Sequence, residues 1–258
     1  MMEIPPIIAI GFAAAFGAVI GSFLNVCIWR LPRQQSVAWP PSACPSCGHQ
    51  LSWYENVPVV SYLVLRARCR SCRAPISVRY PVIEALTAAM FAAATWYYGP
   101  TTLLAQRVLF GSVLIVLFAI DLEHHLLPNS ITLPAIVVGF AFSFFTEPGW
   151  VSSLIGIVIG GGVLFAIAEA YYRIRHEEGL GMGDVKMLAM IGAFLGWKLT
   201  IVTLMLASFA GTLVGLVLIV TKRGGMKYAL PFGTFLALGA ALAATVGPGL
   251  LDWYLGYL

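Results

Sequence analysis

Apolar runs of close to twenty residues recur along this chain, and no other feature limits its fold so strongly. A helix needs about 20 apolar residues to cross the hydrocarbon core of a bilayer. Runs of this kind begin near Ile4, Val82, Thr102, Ser130, Val151, Val185, Leu199 and Leu230. Hydrophobic residues make up 60% of the 258 positions and charged residues only 10%, whereas a soluble domain carries about a quarter charged residues. A transmembrane β-barrel would show short segments of alternating polarity, and none occurs. The expected fold is an all-α polytopic membrane protein with about eight transmembrane helices. The first run is expected to stay as a membrane helix. Met1–Met2–Glu3 is not basic, and no small-residue cleavage site precedes a soluble chain.

The loops carry the charge unevenly. The net charge of +4 would raise the question of nucleic acid in a soluble protein, but here its placement points to membrane lipid. The odd-numbered connections hold Arg30, Arg33, Arg66, Arg68, Arg70, Arg73 and Arg79, then Arg173 and Arg175, then Lys222, Arg223 and Lys227. The even-numbered connections hold only Lys198. Positively charged loops stay in the cytoplasm. The odd connections are therefore expected inside, and both termini outside.

Residues 30–81 form the one substantial polar insertion, between a first membrane helix (1–29) and a membrane core (82–258). They contain Cys44–Pro45–Ser46–Cys47 and Cys69–Arg70–Ser71–Cys72. Two Cys-x-x-Cys knuckles resemble a zinc ribbon, with a gap of 21 residues that slightly exceeds the usual template. Each offers two thiolates to one side of an ion, and the four complete a tetrahedron. Four thiolates on a dication leave two negative charges, which nearby arginines offset. The alternative is two disulfides or free thiols, although a cytoplasmic loop is reducing. Cys27 lies within an apolar run and is expected to pack there.

The chain has three aspartates, and two of them abut apolar runs. Asp121 follows Thr102–Ile120, and Asp184 follows Gly181–Met182–Gly183 and opens Val185–Trp197. A carboxylate at a membrane boundary is costly unless it faces protein, water or a partner. The loop charges put both on the cytoplasmic side. If their helices pack together, the pair shares one proton and titrates as a unit. Its ionised member can take a proton from water while its protonated member polarises a carbonyl. Gly181 and Gly183 would permit positive φ and leave room for a substrate backbone. Lys186 could balance charge or hold a lipid phosphate. The plainer alternative for Asp184 is a helix cap. Glu84, in the first turn of its run, either favours the helix dipole or faces a polar site. Asn25 is expected to make a helix-packing hydrogen bond, and His124 and His125 to be interfacial. A different class of function also fits the acids: a proton-coupled carrier using Asp121, Glu169 and Asp184, with the cysteine loop as a regulatory zinc module. The absence of paired broken helices in two halves counts against it.

Several motifs occur together and in order: Gly21–Pro32, the two knuckles, Ile76–Glu84, Asp121 with Leu127–Pro128, Gly181–Lys186, and Leu230–Gly233. This set resembles the bacterial type IV prepilin peptidases over nearly the whole chain. The resemblance implies a bifunctional membrane aspartic enzyme of the inner membrane. Such an enzyme cuts the short basic leader of type IV prepilins or type II secretion pseudopilins after a glycine. It then N-methylates the new terminus with S-adenosylmethionine. By motif match, Asp121 and Asp184 would be catalytic. Gly181, Gly183 and Lys186 would support the catalytic loop, and Cys44, Cys47, Cys69 and Cys72 would hold a structural zinc in the part linked to methylation. No glycine-rich nucleotide fingerprint marks a methyl-donor site. The family usually has proline after Phe-Gly in the last motif, where this chain has Thr234.

Overall fold

The computed structural model describes residues 5–176, 181–221 and 230–256. Met1–Ile4, Glu177–Leu180 and the basic loop Lys222–Lys227, which entered the sequence argument, lie outside the described residues. The described chain is helical: α1 (Pro6–Arg30), α2 (Val60–Val64), α3 (Arg79–Tyr98), α4 (Thr102–His124), α5 (Asn129–Phe142), α6 (Trp150–Arg175), α7 (Met182–Val220), α8 (Phe232–Thr245) and α9 (Gly247–Leu255). Among the described residues β structure is confined to two isolated bridges, Ala43 with Gln50 and Arg68 with Pro75. The chain divides into two compact units, Met1–Val116 and Leu117–Leu258.

By length and composition, α1, α4, α6 and α7 can cross a membrane, and the pair α8–α9, bent by 66°, brings the number to five. Four to five such helices make this a multi-pass membrane protein. α1 exposes Ile7, Phe12, Phe16 and Val19, and α7 exposes Met205, Phe209, Leu213 and Leu216 beyond its break. A folded chain leaves such apolar stripes bare only where lipid or a partner covers them.

In the first unit, α1 packs on α3 through small residues. A Cβ on Gly21 would fall 2.7 Å from the Glu84 Cα, and one on Gly17 would fall 2.8 Å from the Phe91 Cβ. Asn25, which is buried, donates to the Tyr80 carbonyl at 3.1 Å, the packing bond expected of it. Glu84 accepts the Val59 N–H at 2.7 Å. Val59 has φ 61, a costly value for a β-branched residue, so this carboxylate pins a strained point of the loop to α3.

The second unit is built round the first half of α7. Met187, Leu188, Met190, Ile191, Ala193 and Phe194 are fully buried, and a helix enclosed on all sides is apolar all round. The two runs expected near Val185 and Leu199 form one element broken at Gly196 (φ 73, ψ 173). Gly160 of α6 would touch both Leu188 and Thr200 if it carried a Cβ. In a straight helix those residues would stand about 18 Å apart at 1.5 Å per residue. The chain therefore reverses at Gly196, and both halves lie along α6. Only glycine adopts that backbone conformation, and a Cβ there would sit 2.5 Å from the Ser152 Oγ.

Candidate active site

One end of the second unit collects the C-terminus of α4 and the N-termini of α5, α7 and α8. α4 continues past Ile120 to His124, so Asp121 lies in its last turn rather than just beyond the helix. Pro128 cannot be helical here without losing a backbone bond. The chain leaves α4 through His125 at φ 51, whose N–H donates to the Asp121 carbonyl at 2.8 Å. The Asp121 side chain is buried. Its Oδ2 accepts the Thr234 N–H at 2.6 Å and the Thr234 Oγ1–H at 3.0 Å.

Asp184 lies in the first turn of α7, and its N–H donates to the Gly181 carbonyl at 3.1 Å. Leu127 lies against Gly183, the residue before Asp184, and against Gly233, which flanks Asp121 Oδ2. The two carboxylates that the sequence singled out thus stand at the same end of the unit. The glycines before Asp184 work differently from expectation. Gly181 is extended at φ −69, and Gly183 is part of α7, so neither uses positive φ. Gly183 serves close approach: a Cβ there would lie 2.9 Å from the Leu127 Cβ. Gly233 does the same from α8, with 2.9 Å to the Leu127 Cδ1 and 3.0 Å to the Asp121 Oδ2. Leu127, buried between two glycines, is the wedge that spaces α7 from α8. Lys186 donates to Asn129 Oδ1 at 2.8 Å, which ties the start of α7 to the start of α5.

Glu169 pairs with Arg173 one turn on, at 2.7 Å on the surface of α6. Among the described residues, the only group of metal-ligating side chains is the four cysteines, so His124 and His125 join no such cluster.

In the first unit the two knuckles are one structure made twice. Cys44 N–H donates to the His49 carbonyl at 2.9 Å, and Cys69 N–H to the Ala74 carbonyl at 2.8 Å. The return bonds, Gly48 to Cys44 and Arg73 to Cys69, are 2.9 and 3.0 Å. Gly48 and Arg73 occupy the same place at φ 72 and φ 62. All four sulfurs lie within 4.8 Å of one another, and none forms a disulfide. Cys44 Sγ and Cys72 Sγ are 3.8 Å apart. Tetrahedral zinc with Zn–S near 2.3 Å requires about 3.8 Å between sulfurs, so the set fits that ion. Backbone N–H groups of Cys72 and Ser71 donate to the Cys69 sulfur. Glu55 braces the loop: it is buried and accepts the Ser52 N–H at 2.9 Å and a bond from His49 at 3.2 Å.

Both units match known proteins. Residues 15–98 match the bacterial peptidase A24 N-terminal domain, and residues 108–216 match the type IV leader peptidase family. A prepilin leader peptidase/N-methyltransferase of Myxococcus xanthus is 42% identical over 86% of this chain and 67% of its own. The protein of that name from Burkholderia pseudomallei is 39% identical over 95% of this chain and 87% of its own. This chain belongs to the prepilin leader peptidase/N-methyltransferase family. A third member, from Aeromonas hydrophila, is 36% identical over 93% of this chain and 91% of its own. No solved structure matches. Residue-by-residue reading gave no role to Thr234, Leu127 or Asn129; Leu127 entered only as part of the Leu127–Pro128 motif and Thr234 only as the departure from proline after Phe-Gly.

Proposed function

We propose that Asp121 and Asp184 are the catalytic pair with which this family member cuts prepilin leaders. The protein cleaves prepilin leader peptides and N-methylates the new terminus, with S-adenosylmethionine as methyl donor. The observation that supports the assignment of the pair is that Leu127 packs against both Gly183, beside Asp184, and Gly233, beside Asp121, at one end of the second unit, in a chain of this family.

Hydrolysis follows from two carboxylates sharing one proton. The ionised carboxylate takes a proton from water as the water oxygen bonds to the scissile carbonyl carbon. The protonated one donates to the carbonyl oxygen. The tetrahedral diol then gives an O–H proton to the ionised carboxylate as its C–N bond breaks and the protonated carboxyl donates to the leaving nitrogen, so the pair again holds one proton. No covalent enzyme intermediate forms. Gly183 and Gly233 keep side chains away from this end, and Leu127 sets the gap between their helices.

The finer topology is part of the same proposal. It has eight membrane helices, with α7 contributing two and α8–α9 one, and both termini on the outer face of the inner membrane. The carboxylates then face the cytoplasm, where a basic leader lies while its apolar helix stays in lipid. The substrate is a type IV prepilin or a type II secretion pseudopilin, cut after glycine. Residues 30–81 form a zinc-ribbon-like module serving methylation: Cys44, Cys47, Cys69 and Cys72 would hold a structural zinc, which supplies folding energy and no reaction step.

The test is mass spectrometry of a purified prepilin incubated with enzyme and S-adenosylmethionine. The expected product is the mature pilin, shortened after glycine and heavier by one methyl group. Intact substrate, with proton-linked uptake in proteoliposomes, would favour a carrier instead.

A further inference from the structure

We propose that Thr234 is a positioning residue for Asp121: its two donors hold Oδ2 and leave Oδ1 for the reaction. The inference rests on the assignment of Asp121 and Asp184 as the catalytic pair. Two groups of one residue, the amide at 2.6 Å and the hydroxyl at 3.0 Å, converge on one oxygen. Both residues are buried, at 4% and 5% exposure, so water does not compete for that oxygen.

The amide is available for a physical reason. Thr234 is the third residue of α8, and first-turn amides of a helix have no acceptor inside it. Pro231 precedes the helix and offers no side-chain cap. Asp121, arriving from the end of α4, supplies the missing acceptor. Gly233 lets it come close, since a Cβ there would stand 3.0 Å from the same oxygen.

An oxygen that accepts two such bonds does not carry the proton of the pair. That proton resides on Oδ1 of Asp121 or on Asp184. Thr234 thereby narrows four carboxylate oxygens to three and fixes the orientation of one carboxylate. A proline at this position would offer neither an N–H nor a hydroxyl.

Three variants of the full-length enzyme in detergent test the inference. Thr234→Val keeps the volume and the amide but loses the hydroxyl. Its kcat for prepilin cleavage should fall about tenfold, with KM changed less than about twofold, because one bond to a charged acceptor is lost. Thr234→Ser keeps both donors and loses only a methyl; it should cleave within about threefold of the native rate. Thr234→Pro removes both donors at a first-turn position that tolerates proline, and should lose about a hundredfold. The thermal unfolding transition, on the same samples, reports that the chain is folded. If the proline variant fails there, the Ser and Val pair carries the test, since neither alters the backbone. Native cleavage by the valine or the proline variant would overturn the inference. So would a serine variant as slow as the valine one, which would mean that packing is what matters. Native cleavage by Asp121→Asn is a separate outcome: it would remove the assignment of the pair beneath the inference.

Discussion

The cysteine loop and the aspartate end are assembled by opposite means. Each knuckle is closed by hydrogen bonds within about five residues, and the same backbone is made twice. Joining the two knuckles brings Cys44 to Cys72, 28 positions apart. The aspartate end has almost no local structure of its own. Its defining contacts span 113 positions from Asp121 to Thr234 and 57 from Asn129 to Lys186. The loop is thus made by short-range geometry with a metal-compatible centre, and the aspartate end by the packing of α4, α5, α7 and α8. Damage to one should leave the other standing, and two activities in one chain allow that to be read out.

The largest effect should follow loss of the sulfurs. The double change Cys44→Ser and Cys72→Ser should take zinc, measured by elemental analysis, from one equivalent to none. It should expose the loop to trypsin at Arg66 and Arg68. Prepilin cleavage should stay within about threefold, because catalytic acid–base groups are untouched. Equal loss of cleavage and methylation would erase the contrast between the two regions. No zinc in native protein purified without chelator would remove its metal half.

Next is the reversal in α7. Gly196→Ala places a Cβ at φ 73 against Ser152, at a cost of about 1–3 kcal/mol for the backbone alone. The unfolding transition should fall by several degrees, and cleavage should fail at a lower temperature than in the native protein. An unchanged transition would contradict the hairpin at Gly196.

A smaller effect is expected at the wedge. Gly183→Ala presses on Leu127, a side chain that can move, and should slow cleavage about tenfold through misplacement of Asp184. Leu127→Ala in the same chain should recover part of that loss. No recovery would mean that Leu127 does not set the spacing.

The smallest effect concerns Glu55, whose carboxyl is held below the usual carboxylate range, first by the Ser52 N–H and then by His49. A carboxyl held low contributes stability above its unfolded value, near 4.3, and loses it as pH falls through the depressed value. Glu55→Gln should make the loop more protease-sensitive at neutral pH. The difference from native protein should narrow below pH of about 4. A difference that persists in acid would assign the effect to packing.

Much of this was legible in the sequence, for reasons that differ between the regions. The helices followed from apolar runs, and Pro128 marked the end of α4 to within a few residues. Cys44, Cys47, Cys69 and Cys72 were legible because metal-ligand spacing is short and local. Asp121 and Asp184 stood out because carboxylates are rare beside apolar runs, but their meeting depended on helix packing that no local pattern encodes. The clamp from Thr234 was illegible for the same reason: a threonine two residues into a helix looks ordinary until Asp121 arrives from α4. The purpose of Gly183 was misjudged because sequence shows that a glycine is free to bend, not that Leu127 lies against it. The reversal at Gly196 was visible only as a gap between two runs.

The most direct measurement is prepilin cleavage by Asp121→Asn and Asp184→Asn, each purified in detergent and shown to be folded by an unchanged thermal unfolding transition. Each change keeps the size of the side chain and removes its acid–base capacity. Cleavage should fall by about a hundredfold to ten-thousandfold in both, while methylation of the pre-cleaved peptide continues. Native cleavage by either variant would contradict the assignment of the pair.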